Sequence, residues 1–275
     1  MTTKPKGQKP VAVIVGASSG IGYHTATALE EKGYTVYNLS RGMCDCSNTT
    51  CPSVCNITCD VKCRSNIHDA IGAVIEVERR IDALVYSAGY SIAAPLEYTS
   101  QKDFHHVFDI NYFGFITVLK DVIPIMRQNR SGRIVAVGSL AGSVPIAFDA
   151  PYSASKAALE STIRALNLEL KPFNIKASCV CPGGVSTNFT FKRKVYAVEE
   201  MGEYADAMGQ ATRKLTEIEQ SGLPPEAVAQ AIVGLIQKVR PRASCSVGLG
   251  GKAAKMASKV LPERLVDTLN SMMYK

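Results

Sequence analysis

Residues 11–22 read Val-Ala-Val-Ile-Val-Gly-Ala-Ser-Ser-Gly-Ile-Gly, and the fold class can be inferred from this stretch. Its first five residues are a continuous β-branched and apolar run, which is typical of a strand buried on both faces of a parallel sheet. A glycine turn of the form G-x-x-x-G-x-G follows, and then a helical pattern that reaches about Lys32 and ends at Gly33. The backbone N–H groups of such a turn and the helix N-terminus suit an anionic pyrophosphate. The alternative is a tight loop that needs glycine for its geometry alone.

The second strand indicates which dinucleotide would bind. Residues 34–39 form this predicted strand, and Ser40 and Arg41 follow at its end, where the adenosine ribose of a dinucleotide would lie. An acidic residue there would bond the ribose hydroxyls and repel a 2′-phosphate. Arg41 instead offers a planar cation that can bind phosphate, which favours NADP(H) over NAD(H). A plain surface arginine is the alternative.

Six of the nine cysteines fall within residues 42–63. Thiolates bind zinc and iron–sulfur clusters, so a metal or redox site is one hypothesis. Against it, the segment has no C-x-x-C pair, and Cys59 lies in a predicted third strand (residues 57–61) and points into the core. We therefore predict no metal and an adenosine-side loop with reduced thiols. The six are Cys44, Cys46, Cys51, Cys55, Cys59 and Cys63.

Strand and helix patterns alternate along the following residues. The helical patterns cover residues 66–80 and 102–128, and the buried-strand patterns cover residues 82–86, 134–138 and 175–181. Ser87-Ala88-Gly89 ends one of these strands and Ser139 ends another, at the edge where open α/β sheets place ligands. We predict a single-domain α/β fold, a Rossmann-like doubly wound parallel sheet in three α/β/α layers.

Tyr152 and Lys156 stand four residues apart at the start of a predicted helix, so they share one face. A phenol has a pKa of about 10 and is a poor base. An ammonium about 4 Å away would favour the phenolate by roughly 4 kcal/mol at an effective dielectric near 20, or about three pKa units. Such a pair can transfer protons near neutral pH. The alternative is a chance pair on an exposed helix.

Together these motifs resemble those of the short-chain dehydrogenase/reductase family over about residues 10–190. The usual Asn-Asn-Ala-Gly of that family is Tyr86-Ser87-Ala88-Gly89 here, which puts in doubt the hydrogen bonds that the family asparagines make. The matching pieces are Gly16-Ala-Ser-Ser-Gly20-Ile-Gly22, Asp60, Ala88-Gly89, Asn111, Ser139, Tyr152-x-x-x-Lys156 and Pro182-Gly183 with Thr187.

The resemblance implies four catalytic roles. Tyr152 would protonate the carbonyl oxygen in reduction and act as the base in oxidation, and Ser139 would hydrogen-bond that oxygen. Lys156 would lower the pKa of Tyr152 and bind the nicotinamide ribose. Asn111 would hold a backbone carbonyl and a water that relay the proton.

The resemblance also implies the site of NADP(H). Asp60 and Val61 would lie by the adenine, and residues 182–187 would hold the nicotinamide amide. Arg41 stands where NADP-preferring members carry a basic residue, whereas Ser19, at the other such position, is neutral. The expected cofactor-binding residues are Gly16, Ser18, Ser19, Gly20, Ile21, Gly22, Arg41, Asp60, Val61, Ser87, Ala88, Gly89, Asn111, Tyr152, Lys156, Pro182, Gly183, Val185 and Thr187.

Three segments look closest to the steroid-dehydrogenase-like and acyl-dihydroxyacetone-phosphate-reductase-like branch: residues 138–142, 169–174 and 183–187. This likeness suggests a lipophilic steroid, bile acid-like or lipid ketone as substrate. Residues 186–222 interleave apolar residues with charge and would form a substrate lid, or else a helix pair packed on the body.

The predicted organisation is a flexible tail (residues 1–9), a catalytic domain (residues 10–250) and a helical C-terminal tail (residues 251–275). The helical tail would line the substrate site, pack on a partner subunit or rest on a membrane surface; packing is favoured, and contact with a membrane surface is not. The family is often dimeric or tetrameric, so we expect a homodimer or homotetramer.

Composition narrows the function classes. The 275 residues are 46% hydrophobic and 20% charged, as in ordinary globular proteins. The net charge is +7, but basic residues do not alternate with aromatic ones, so nucleic-acid binding is not predicted. Neither a membrane span nor a signal peptide is predicted, so we expect a cytoplasmic enzyme. An NADP(H)-binding redox sensor without turnover and a membrane-surface acyl-lipid ketone reductase are the alternatives.

Overall fold

The computed structural model describes residues 8–44 and 54–272. Its strands are β1 (Val11–Val15), β2 (Thr35–Ser40), β3 (Cys55–Thr58), β4 (Ala83–Tyr86), β5 (Ile92–Ala93), β6 (Gly132–Val137), β7 (Ile175–Pro182), β8 (Lys194–Val195) and β9 (Ser244–Val247). Seven of them form a parallel sheet in the order β3-β2-β1-β4-β6-β7-β9, and β5 pairs with β8. The strand order reverses between β1 and β4, which creates the switch point where doubly wound sheets bind ligands.

Helices cover both faces of the large sheet. They are α1 (Gly20–Glu31), α2 (Arg64–Glu78), α3 (Gln101–Phe108), α4 (Gly114–Gln128), α5 (Ala150–Glu169), α6 (Phe189–Lys192), α7 (Ala205–Gln220), α8 (Pro225–Gln237), α9 (Leu249–Val260) and α10 (Glu263–Met272). One buried cluster joins the sheet to α2, α4 and α5, and another joins its opposite face to α1 and α8. The predicted single-domain, three-layer Rossmann-like fold is confirmed.

Strand β1 shows why its sequence is apolar without alternation. Val11, Val13 and Val15 enter one core cluster, and Ala12 and Ile14 enter the other. The strand lies between β2 and β4, so both of its edges are paired as well. A strand covered on every side must be apolar at every position.

Two details of the sheet differ from the prediction. Strand β3 is Cys55–Thr58, whereas the sequence pattern placed the third strand at residues 57–61. Cys59 is buried as expected, but it follows the strand. The small pairing of Ile92–Ala93 with Lys194–Val195 was not predicted, because two residues are too short to show a periodic pattern.

The predicted long helix of residues 102–128 is interrupted at its centre. Helices α3 and α4 are joined by a π-helical turn at Asp109–Phe113, which contains Asn111. Such turns interrupt the regular hydrogen-bond ladder and occur often at functional sites. The backbone geometry at Asn111, as well as its residue type, therefore indicates a functional position.

The C-terminal segment packs on the body through one buried lysine. Lys255 of α9 donates from Nζ to both carboxylate oxygens of Glu160 (2.7 and 2.8 Å) and to Ser244 Oγ (2.7 Å). Cys181 Sγ lies 3.2 Å from the same nitrogen. Glu160 is on α5, one helical turn after Lys156, so α9 is tied to the helix that carries Tyr152. Within residues 8–44 and 54–272, no helix has the length and apolar character that a membrane span requires.

Candidate active site

A cleft of about 660 Å³ opens at the carboxyl ends of the central strands. Asn111 and Gly22 do not line it: the side chain of Asn111 is fully buried behind the wall, and Gly22 lies beneath the glycine turn. The structure brings the other predicted site residues together there: Gly16, Ser18, Ser19, Gly20, Ile21, Arg41, Asp60, Val61, Ser87, Ala88, Gly89, Ser139, Tyr152, Lys156, Pro182, Gly183, Val185 and Thr187.

The glycine turn is packed too closely for side chains. Gly16 has φ +88°, and a Cβ there would lie 2.8 Å from the backbone N of Ala88. A Cβ on Gly22 would lie 2.1 Å from Gly16 O, so glycine is required at both positions. Ser19 precedes α1 without making a side-chain cap, which leaves the N–H groups of the first turn directed at the cleft. This arrangement fits a pyrophosphate at a helix N-terminus.

Polar side chains shape the end of the cleft near β2. The buried amide of Asn38 accepts from Ala17 N (3.0 Å) and donates to Asn56 Oδ1 (2.8 Å), which joins the glycine turn to β3. Arg41 is exposed at the rim, and His106 of α3 lines the same cleft. Burial, together with the nearby cations of Lys62 and Arg41, lowers the pKa of His106. His106 was not predicted, since no sequence pattern links α3 to this end of the sheet.

Asn111 joins three elements behind the cleft. Its Oδ1 accepts from Tyr90 N (2.8 Å), and its Nδ2 donates to Tyr90 O and to Ser155 Oγ (both 2.9 Å). Tyr90 follows β4, and Ser155 is on α5 beside Lys156. The asparagine therefore fixes the π turn against the helix that carries the Tyr152–Lys156 pair.

Tyr86 explains the departure from the family's Asn-Asn-Ala-Gly pattern. Its buried hydroxyl donates to Ile110 O at 2.5 Å, a carbonyl within the π turn. A Cβ on Gly114 would lie 2.6 Å from the Tyr86 oxygen, so the glycine makes room for the phenol. A tyrosine at the end of β4 thus anchors the π turn.

Tyr152, Ser139 and Lys156 meet where β6 ends and α5 begins. Ser139 follows β6 and hydrogen-bonds with Tyr152, which favours the phenolate. Lys156 is buried and donates from Nζ to Val137 O at 2.8 Å. Burial lowers the pKa of Lys156 to about 8. The three groups share one wall of the cleft, as the sequence pattern predicts.

The pKa of Tyr152 corrects one expectation. The sequence argument placed the ammonium about 4 Å from the phenol and expected a lowered pKa. In the structure Lys156 Nζ lies 5.5 Å from the ring centroid and is directed at Val137 O. Burial of the phenol dominates and raises the pKa of Tyr152 above its ordinary value. Burial of the phenol thus favours the protonated hydroxyl, which can act as a proton donor.

The cleft wall beside Tyr152 contains residues that the family motifs do not include. Phe189 packs on Tyr152, with 5.9 Å between ring centroids. Residues 186–222 contribute both apolar and charged members, and most of them follow the last family motif, which ends at Thr187. These wall residues are Ser91, Val144, Ile146, Asn188, Phe189, Lys192, Arg193, Leu215, Ile218, Glu219 and Asn270.

A chain of polar contacts crosses this wall. Arg193 Nη2 pairs with Glu219 Oε1 at 2.5 Å, and Arg193 Nε donates to Ser91 Oγ at 3.1 Å. Ser91 in turn donates to Asp149 Oδ2 at 2.5 Å. Asp149 is buried at the start of α5, and burial raises its pKa to about 7.

The raised pKa of Asp149 predicts a pH-dependent stability. The folded protein holds this proton up to about pH 7, whereas the unfolded chain releases it near pH 4, so stability is lost as pH rises between these values. Arg193 favours the charged form and Glu219 opposes it. We expect Asp149→Asn to remove a decline of a few kcal/mol between pH 5 and pH 8, measured by urea unfolding. The exposed control Asp69→Asn should decline as the wild type does; an equal decline in both variants would contradict the prediction.

The cysteine-rich segment shows no metal arrangement in its described portion. Cys44 and Cys59 are buried, Cys55 is exposed, and Cys63 is half-buried. Among the residues that the structure describes, no group of three or more His, Cys, Asp or Glu side chains could hold a metal ion. Cys46 and Cys51 lie outside the described residues.

Comparison with known proteins agrees with this architecture. A 3-ketodihydrosphingosine reductase from Bacteroides thetaiotaomicron is 32% identical over 242 residues, which cover 88% of each chain. A short-chain dehydrogenase structure from Streptomyces avermitilis superposes with a TM-score of 0.82 at 27% identity, over 97% of this chain and 96% of that one. An actinorhodin polyketide ketoreductase with NADPH superposes with a TM-score of 0.74 at 27% identity, over 86% and 95%. The family model for short chain dehydrogenases matches residues 10–195, and the chain therefore belongs to the short-chain dehydrogenase family.

Proposed function

We propose that this protein interconverts a ketone and a secondary alcohol on a lipophilic substrate, with NADP(H) as the redox partner. The main support for the proposal is that Tyr152, Ser139 and Lys156 lie together in one wall of a cleft. At the other end of this cleft, the glycine turn leads into α1, whose N-terminus has no side-chain cap. In this role Tyr152 donates its proton to the carbonyl oxygen and Ser139 hydrogen-bonds that oxygen. A bound nicotinamide would supply the hydride.

Lys156 and Asn111 would support the proton transfer. The Lys156 ammonium lies near enough to stabilise a tyrosinate electrostatically, and its pKa of about 8 leaves it charged at neutral pH. The side-chain amide of Asn111 is hydrogen-bonded to the Tyr90 backbone and to Ser155, so it holds these two segments in position. Its backbone carbonyl lies in the π turn, where the regular hydrogen-bond ladder is interrupted, and would accept a hydrogen bond from the water of a proton relay.

The residues present fit a dinucleotide. The glycine turn allows close backbone approach, and α1 directs its first N–H groups at the cleft. Asp60 and Val61 line the adenosine end, and Pro182, Gly183, Val185 and Thr187 line the end near Tyr152. Lys156 lines the same cleft beside Tyr152, where it would bind the nicotinamide ribose.

Arg41 favours NADP(H) over NAD(H). We expect Arg41→Ala to raise KM for NADPH by about tenfold or more and to leave KM for NADH within twofold, because only NADPH carries the 2′-phosphate that a forked guanidinium can bind. Steady-state kinetics with both cofactors measure the ratio. Lys120→Ala removes one positive charge from the exposed outer side of α4 and should leave the ratio unchanged. Equal losses with both cofactors would refute this role of Arg41.

A lipophilic substrate is supported by the wall of the cleft. Val144, Ile146, Phe189, Leu215 and Ile218 form an apolar surface beside Tyr152, partly from residues 186–222, which would act as a lid. The relative named for 3-ketodihydrosphingosine reduction supports a ketone on a long-chain lipid. A screen of steroid, bile acid and acyl-lipid ketones with NADPH and NADH tests the proposal; failure to reduce any of them despite cofactor binding would favour a redox sensor.

A homo-oligomer is part of the proposal. Phe113 is 54% exposed beside α4 and Leu168 is 78% exposed on α5, so large apolar side chains remain at the surface of the chain. Sedimentation velocity would give the subunit count.

A further inference from the structure

The cleft wall beside Tyr152 contains a charged pair at a place where apolar residues would suffice. The side chains of Arg193 and Glu219 are 2% and 12% exposed, with 2.5 Å between Nη2 and Oε1. Each has a second support: Ser91 Oγ accepts from Arg193 Nε (3.1 Å), and Thr190 Oγ1 donates to Glu219 Oε2 (2.7 Å). The pair is therefore fixed in position on two sides.

Stability gives little reason for burying such a pair. The desolvation of two charges offsets much of their attraction, and apolar residues of similar volume often stabilise a protein equally well. Both residues line the cleft, and the charges of both act on Tyr152. The pair therefore lines the same cleft as Tyr152, and a substrate held by Tyr152 would share this cleft with both charges.

Arg193 and Glu219 each keep a group that can still form a hydrogen bond with a molecule in the cleft. Nε and Nη2 make the hydrogen bonds of Arg193, and among the described residues Nη1 has no partner within hydrogen-bond geometry. Glu219 has lone pairs beyond those used by Arg193 and Thr190. A fixed donor and a fixed acceptor are then side by side in an otherwise apolar wall.

We infer that the Arg193–Glu219 pair binds a hydroxyl group on the α or β carbon of the substrate ketone, so that the preferred substrates are hydroxyketones with an apolar chain. This inference rests on the proposed ketone reduction and names its substrate class. A hydroxyl both donates and accepts, as the pair requires. An ammonium would face Arg193 and Lys192, and a carboxylate would face Glu219, so a charged group meets a like charge in either case.

The expected preference follows from the strength of such bonds. A hydrogen bond to a charged partner changes affinity by roughly 10- to 100-fold. A site built for a hydroxyl also discriminates against an analogue that lacks it, because its own polar groups are left unpaired. We therefore expect kcat/KM for a hydroxyketone to exceed that of the matched plain ketone by at least tenfold.

The test compares substrates of one chain length with the full chain and NADPH. The panel is 2-dodecanone, 1-hydroxy-2-dodecanone, 1-hydroxy-3-dodecanone, 1-amino-2-dodecanone and 2-oxododecanoate. The expected result is that one of the hydroxyketones is preferred over all three other compounds. No preference over 2-dodecanone, or a preference for the amine or the acid, would overturn the inference while leaving ketone reduction intact. Failure to reduce any compound would overturn both.

Two variants test whether the preference for a hydroxyketone depends on the Arg193–Glu219 pair. Glu219→Gln and Ser91→Ala should each lower kcat/KM for the hydroxyketone more than for 2-dodecanone, mainly through KM. Glu217→Gln changes an exposed carboxylate two residues away on α7 and should keep the wild-type ratio. If Glu219→Gln does not fold, Ser91→Ala and the wild-type panel still decide the matter. An unchanged ratio in Ser91→Ala and Glu219→Gln would overturn the assignment to this pair.

Discussion

Replacing Tyr152 with phenylalanine should lower turnover by about 10²- to 10⁴-fold, while the affinity for NADPH changes by less than about threefold. The substitution removes only the hydroxyl that hydrogen-bonds with Ser139 and would donate to the carbonyl. The ring, which packs against Phe189, is retained, so the cleft keeps its shape. The measurements are kcat with saturating ketone and NADPH, and the dissociation constant from nicotinamide fluorescence.

The matched control is Tyr112→Phe. The Tyr112 hydroxyl makes one hydrogen bond with Thr162 (3.1 Å), away from the cleft. This variant loses the same atom and a comparable hydrogen bond, and it should keep turnover within about twofold. If Tyr152→Phe kept a tenth or more of the wild-type turnover, acid catalysis by this tyrosine would be excluded.

Lys255→Met should destabilise the protein by about 3 kcal/mol, at the lower end of the range for breaking a buried ion pair. The ammonium holds both oxygens of Glu160 and the hydroxyl of Ser244, and its loss leaves a carboxylate largely buried without a counter-charge. Methionine keeps most of the side-chain volume, so the charge is the main change. The free energy of unfolding in urea measures the effect.

Two further variants make this prediction specific. Lys259→Met removes an exposed lysine one helical turn later on α9 and should change stability by less than about 0.5 kcal/mol. Adding Glu160→Gln to Lys255→Met should recover part of the loss, because the unpaired carboxylate is then removed. Equal stabilities of the two lysine variants would mean that α9 is held by its apolar contacts alone.

Sequence patterns were sufficient to predict those parts of the site whose residues lie close together in the sequence. The apolar run of residues 11–15 predicts a strand buried on both faces, and the glycines after it predict a turn without room for side chains. Tyr152 and Lys156 are four residues apart on one helix, so their proximity follows from helical geometry. Ser139 could be placed because parallel strands end at one edge of the sheet.

Contacts between distant residues were beyond such reasoning. Arg193 and Glu219 meet across 26 residues, and Lys255 meets Glu160 across 95. In neither pair does the sequence separation match a helix or strand period, so the sequence does not indicate the contact. The pKa of Tyr152 was misjudged for a related reason: the Lys156 charge is visible in the sequence, whereas the desolvation of the phenol depends on elements that close over it.

The π turn at Asp109–Phe113 makes the length of this segment as important as its residues. A π turn holds one residue more than a regular α-helix needs. Deleting a residue from it would let the helix run without interruption and would rotate the chain beyond the deletion by about 100° relative to what precedes it. The amide at position 111 would then leave Tyr90 and Ser155. A one-residue gap here in an alignment of related chains consequently signals that the asparagine no longer joins the segment after β4 to α5, even where the asparagine itself is retained.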